Sequence, residues 1–69
     1  MEKRKIVYPV LKATMKEHKD TIETLSKLLN ISEMSVWRRL SGNYEWKASE
    51  AMTICQHYGV VFEELFKKD

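Results

Sequence analysis

The stretch from Ser32 to Gly42 holds the residues best suited to chemistry. Glu33, Met34, Ser35, Trp37 and Arg38 fall on or near one outward helical face, while Val36 and Leu40, four apart, form an apolar stripe. An arginine so placed carries a planar fork that matches guanine O6 and N7 together, worth roughly 1–3 kcal/mol of discrimination between bases. A glutamate accepts from cytosine N4, and a methionine can touch a thymine methyl. Each residue also has a plainer role. Glu33 suits the first turn of a helix through the dipole, and an exposed arginine meets phosphate or solvent. Arg39, one position on, points elsewhere, toward an acidic partner or along the bundle surface.

Catalytic chemistry has little to build on. His18 and His57 lack a nearby Asp or Cys at informative spacing, and Cys55 lies two positions from His57, on a different helical face. Two histidines and one cysteine do not supply the known structural zinc spacings. No glycine-rich phosphate loop and no paired-carboxylate motif is present. The expectation is a protein that is not an enzyme and uses no metal or cofactor.

Helices must position the outward face. Pro9 suits a first helical turn, and Val10, Leu11, Ala13, Met15 and His18 recur at helical spacing, which predicts a helix over about residues 10–18. Thr21 is a good N-cap, with Asp20 as a rival because Glu23 stands three residues beyond it. Ile22, Leu25, Leu28 and Leu29 then predict a helix over about 22–29. Asn30 can adopt the left-handed conformation that ends it. Ser32 caps the next, over about 33–41, with Leu25, Leu28, Ile31, Val36 and Leu40 bracing the pair. Three residues separate the two helices, enough for a sharp helix-turn-helix corner.

Ser41, Gly42 and Asn43 stop the third helix, and Tyr44, Glu45 and Trp46 form a short surface connection. Ala51, Ile54, Cys55 and Tyr58 mark a fourth helix, preceded by Lys47 as a poor cap and ended by Gly59. Glu50 favours its first turn. Phe62, Leu65 and Phe66 mark a last helix over about 62–67, whose cap Val61 cannot accept a hydrogen bond, so packing must hold it. Trp46 reads as a packing plug or part of a partner surface, and an indole needs a partner for its N–H when buried. Ile54, Tyr58, Phe62, Leu65 and Phe66 are expected in the core, with any surplus available to a second copy.

With 69 residues, one small core hiding roughly 60% of the extended chain's surface is plausible and two are not. The 43% apolar and 32% charged composition is that of a globular chain. The reading is a single all-α domain over 1–69, a compact five-helix bundle with a basic arm over 1–8 and the helix-turn-helix over about 21–41. A lone cysteine excludes an internal disulfide and favours a reducing compartment. Pro9, Lys12 and Lys16 interrupt any apolar run after the basic start, so neither a signal peptide nor a membrane span is expected, and the location is read as cytoplasmic. Residues 1–39 hold nine Lys/Arg against five Asp/Glu, and residues 40–69 three against five. A polyanion is drawn to the first half.

From Leu11 to Phe66 the chain resembles the helix-turn-helix domain of phage lambda-type repressors and Cro proteins. The strongest match runs from Thr21, through Leu25, Ser26, Asn30, Ile31 and Ser32, to Gly42; Gly59 to Phe66 resembles that family's fifth helix. The sequence departs from the pattern at Asn30, where the turn usually has Gly, at Ser26, where Ala is usual, and at the caps Lys47 and Val61. The resemblance implies that Glu33, Met34 and Arg38 read bases, with Ser35 and Trp37 as neighbours. Thr21 and Ser32 would cap helices whose N–H groups face phosphates, and Asn43 and Tyr44 would meet the backbone again. Lys3, Arg4 and Lys5 could form an arm reaching phosphate or a minor groove.

The function implied is sequence-specific binding of double-stranded DNA by a small phage-like transcriptional regulator, a repressor whose third helix enters the major groove. Its partner would be a palindromic operator bound by a homodimer. The competing reading is a protein–protein interaction module or antirepressor that keeps the helical shape without specific DNA binding. Its warrant is the apolar Met34–Trp37 pair.

Overall fold

The computed structural model of the chain describes residues 5–68, so Lys3 and Arg4 of the expected arm lie outside the described residues. Five helices follow in order: α1 (Pro9–Glu17), α2 (Ile22–Leu29), α3 (Glu33–Leu40), α4 (Ala48–Tyr58) and α5 (Phe62–Leu65). No strand occurs among the described residues. The all-α reading holds. α2 packs on α3 and α4, and α5 on α1 and α4. Leu11, Leu25, Val36, Leu40, Ile54 and Leu65 are fully buried at the centre.

Local chemistry explains most boundaries. Pro9 opens α1, where its missing N–H costs nothing. Thr21 wins over Asp20 as the cap of α2: its Oγ1 accepts from the Thr24 amide at 3.3 Å, and Thr24 Oγ1 accepts from the Thr21 amide at 3.1 Å. Asn30 ends α2 in the left-handed region at φ 58°, and the Ile31 amide returns to the Ser26 carbonyl at 3.0 Å. Buried Ser26 satisfies its hydroxyl on the Glu23 carbonyl at 2.8 Å. The departures from the family pattern at 26 and 30 are therefore accommodated.

Several expectations need correction. α1 spans Pro9–Glu17, and Ala13 and His18, read as part of its apolar stripe, are exposed. α5 ends at Leu65, and Phe62 is 55% exposed where a core residue was expected. Four helical residues turn Leu65 inward, and Phe66 follows it; Phe62 stacks on Phe66 from outside, with ring centroids 5.2 Å apart. Ile6 and Val7 are half-buried and Tyr8 is buried, so the last residues of the segment read as an arm belong to the packed body. The Val7 amide donates to the Leu40 carbonyl at 3.0 Å, tying this strap to the end of α3. Tyr8 meets Phe66 edge-on at 5.7 Å.

Trp46 does act as a packing plug, edge-on to Phe66 at 5.6 Å, yet its indole N–H is buried without a hydrogen-bond partner. A buried indole calls for an acceptor, and this loop supplies none among the described residues. Burial of Leu65 and Phe66 holds α5, since Val61 makes no side-chain cap.

Candidate nucleic-acid interface

α2 and α3 meet across a corner built from Asn30, Ile31 and Ser32. Ser32 Oγ accepts from the Ser35 amide at 3.0 Å, and its own proton goes to Ser35 Oγ at 2.9 Å. These hydroxyls cap the first turn of α3, which the Val36 amide closes on the Ser32 carbonyl at 3.1 Å. Val36 and Leu40 are fully buried and press α3 onto the bundle. Eight residues give α3 a length of about 12 Å, comparable to the width of a DNA major groove.

The opposite face is open. Glu33, Met34 and Arg38 are all exposed, Met34 at 51%. Ser35 and Trp37 are half-buried, and Trp37 packs against the core. Asn43 and Tyr44 are exposed just past the helix, beside Arg38, and Thr21 and Ser32 are exposed at the two helix starts. The structure thus leaves most of the expected residues open to solvent, with Lys5 exposed on the strap.

The two arginines of α3 have opposite fates. Arg39 donates from Nε to Glu50 Oε1 at 2.9 Å and from Nη1 to the Ser35 carbonyl at 3.1 Å, with both charged side chains nearly buried. The same Glu50 oxygen accepts from the Lys47 amide at 3.0 Å. Glu50 therefore caps α4 and clamps α3 to it. An acidic partner for Arg39 was one of the open alternatives; Glu50 was read only as a first-turn charge, because an eleven-residue separation across two helices leaves no local signal. With Arg39 matched in the body, Arg38 is the cation α3 turns to solvent.

A second cluster was also missed. Asp20, in the α1–α2 turn, accepts from the Tyr58 hydroxyl at 2.7 Å, and His57 Nε2 lies 3.2 Å from the same Oδ2. The Tyr58 hydroxyl, helped by His57, holds the Asp20 carboxyl below the usual range, while burial and then Asp20 push the Tyr58 phenol up. This polar clip ties the turn to the end of α4. Asp20 reaches His57 from 37 residues away, a separation that sequence spacing does not register. Among the described residues no group of three His, Cys, Asp or Glu side chains is arranged to hold a metal ion.

Away from α3, Met52 and Phe62 are exposed over an open cavity of about 660 Å³ between α4, α5 and the strap, with Glu45 and Lys68 in its lining. Cys55 also lines it, and burial pushes its thiol up, away from reactivity.

A braced corner and an outward helix with cationic and apolar side chains define a helix-turn-helix unit. The family model of the Cro/C1-type helix-turn-helix DNA-binding domain matches residues 10–68, and the chain belongs to that family. Comparison with curated proteins and comparison with solved structures each returned no match. The partner class is DNA, and the family is regulatory and non-enzymatic. No described helix is long and apolar enough to cross a membrane.

Proposed function

We propose that this chain is a small phage-like transcriptional repressor that reads the major groove of an operator with α3 and acts in the cytoplasm. The observation that carries this reading is the two-faced α3: Val36 and Leu40 fully buried, with Glu33, Met34 and Arg38 exposed. Arg38 engages guanine, Met34 a thymine methyl and Glu33 a cytosine amino group. Thr21, Ser32, Ser35, Trp37 and Asn43 serve backbone contacts or support the helix, Tyr44 supports it beside Arg38, and Lys3, Arg4 and Lys5 add phosphate attraction. Repression follows from occupancy of an operator that overlaps a promoter.

A palindromic operator and a homodimer complete the proposal, with α3 helices on half-sites about 34–36 Å apart. Exposed Met52 and Phe62 support pairing, and Glu45 and Lys68 give their surface opposite charges that a two-fold copy can match. The reading is tested by selecting bound duplexes from a random pool at two salt concentrations. Enrichment of a palindrome with steep salt dependence is expected, and Arg38→Ala should relax preference at one base pair per half-site. Equal losses for Arg38→Ala on selected and random duplexes would remove its base-reading role. A competing role in protein binding draws on exposed Met34 beside half-buried Trp37. It is favoured by absence of DNA binding at low salt with saturable binding to another protein.

A further inference from the structure

We propose that Tyr44 is a positioning residue for Arg38: its ring holds the guanidinium over the exposed end of α3, so Tyr44 sets base selectivity through Arg38 and without a DNA contact of its own. The inference rests on the reading of Arg38 as the base-reading cation.

The guanidinium carbon of Arg38 stands 5.7 Å from the centroid of the Tyr44 ring. Both side chains are exposed, so neither is held there by the core. The backbone does the holding. After α3, Gly42 takes φ +88° and turns the chain back, so that the amides of Asn43 and Tyr44 donate to the Arg38 carbonyl at 2.9 and 3.3 Å. The Ser41 hydroxyl reaches the same carbonyl at 3.0 Å. One loop thus gathers around the main chain of Arg38 and sets a ring beside its side chain. Gly42 suits this path twice over: a left-handed φ strains any other residue, and an added Cβ would stand 3.3 Å from Val7 Cγ2.

A long arginine at a helix surface samples many rotamers, and fixing one on binding opposes affinity. Attraction to the ring's negative face narrows that distribution before DNA arrives and leaves the fork of N–H donors for a base edge. Discrimination gains more than general attraction, because a phosphate contact tolerates many rotamers and a bidentate base contact does not.

The test compares the selected duplex, the same duplex changed at the base pair where Arg38→Ala loses preference, and random duplex. Tyr44→Leu should lower discrimination at that pair about two- to fivefold, the range expected for an exposed cation–ring contact, with little change on random duplex. Tyr44→Phe keeps the ring and should behave as wild type. In an Arg38→Ala background, Tyr44→Leu should add nothing further. The ring-current shift of the Arg38 side-chain protons in the free protein should vanish in Tyr44→Leu and persist in Tyr44→Phe. Equal losses on selected and random duplex, the same loss in Tyr44→Phe, or unchanged discrimination in Tyr44→Leu would overturn the positioning role alone. A wild-type protein that enriches no sequence overturns the base-reading role of Arg38 and this inference with it.

Discussion

The α2–α3 corner and the α4–α5 end are built on different principles. At the corner, hydroxyls of Thr21, Thr24 and Ser32 satisfy helix-start amides within a few residues of themselves. At the other end, Val61 caps nothing, and α5 exists because Leu65 and Phe66 are buried. The half that carries the outward face of α3 therefore has its helix starts specified locally. The far half is specified by packing, and it leaves apolar side chains outside. Glu50 joins the two.

Breaking that joint should have the largest effect. Glu50→Ala strands the nearly buried Arg39 and the Lys47 amide just ahead of α4, and a loss of about 3–5 kcal/mol is expected in chemical denaturation. Replacing the pair together, Arg39→Met with Glu50→Leu, should recover much of it; no recovery would mean that the Lys47 amide is the main beneficiary of Glu50. Next, Leu65→Ala should cost about 2–5 kcal/mol, whereas Phe62→Ser should change monomer stability by less than about 0.5 kcal/mol. Similar losses for both would end the distinction between inner and outer apolar residues of α5.

Tyr58→Phe should cost about 1.5 kcal/mol near neutral pH, because Asp20 loses a donor to its charged form. The wild type carries a matching pH signature. Asp20 has a lowered pKa, so its contribution is present above the ordinary 3.8 and is lost as pH falls below it. Tyr58 has a raised pKa, so its contribution is present below the ordinary 10.0 and is lost as pH rises beyond it. Stability measured against pH should fall at both edges, and both losses should shrink in Tyr58→Phe. The smallest effect belongs to the corner: Ser32→Ala should cost about 1 kcal/mol, read from the thermal midpoint. A cost as large as that of Leu65→Ala would show that the corner, too, depends on more than its local bonds.

The same contrast decides what could be read from the residues alone. α2 over 22–29 and the start of α3 at 33 were legible because their caps and stripes are local patterns. Gly59 likewise ends α4 in the left-handed region where a helix stop was expected. The interior side of Leu65 was legible but the exterior side of Phe62 was not, since both fit one apolar face and it is Phe66 that meets Tyr8 and Trp46 inside. Arg39 with Glu50, and Asp20 with Tyr58 and His57, are bonds between elements far apart along the chain, and spacing carries no trace of them. The outward residues Glu33, Met34 and Arg38 were read from periodicity and resemblance together, and the open face of α3 agrees with that placement.

The bond from the Val7 amide to the Leu40 carbonyl has a practical bearing on how the protein is handled. Only Ile6 separates Val7 from Lys5, and a chain advances no more than about 3.6 Å per residue. Anything fused ahead of Lys5 must therefore emerge close to the C-terminal end of α3. An affinity tag placed there would sit beside the helix proposed to read DNA, so binding is best measured on protein freed of its tag.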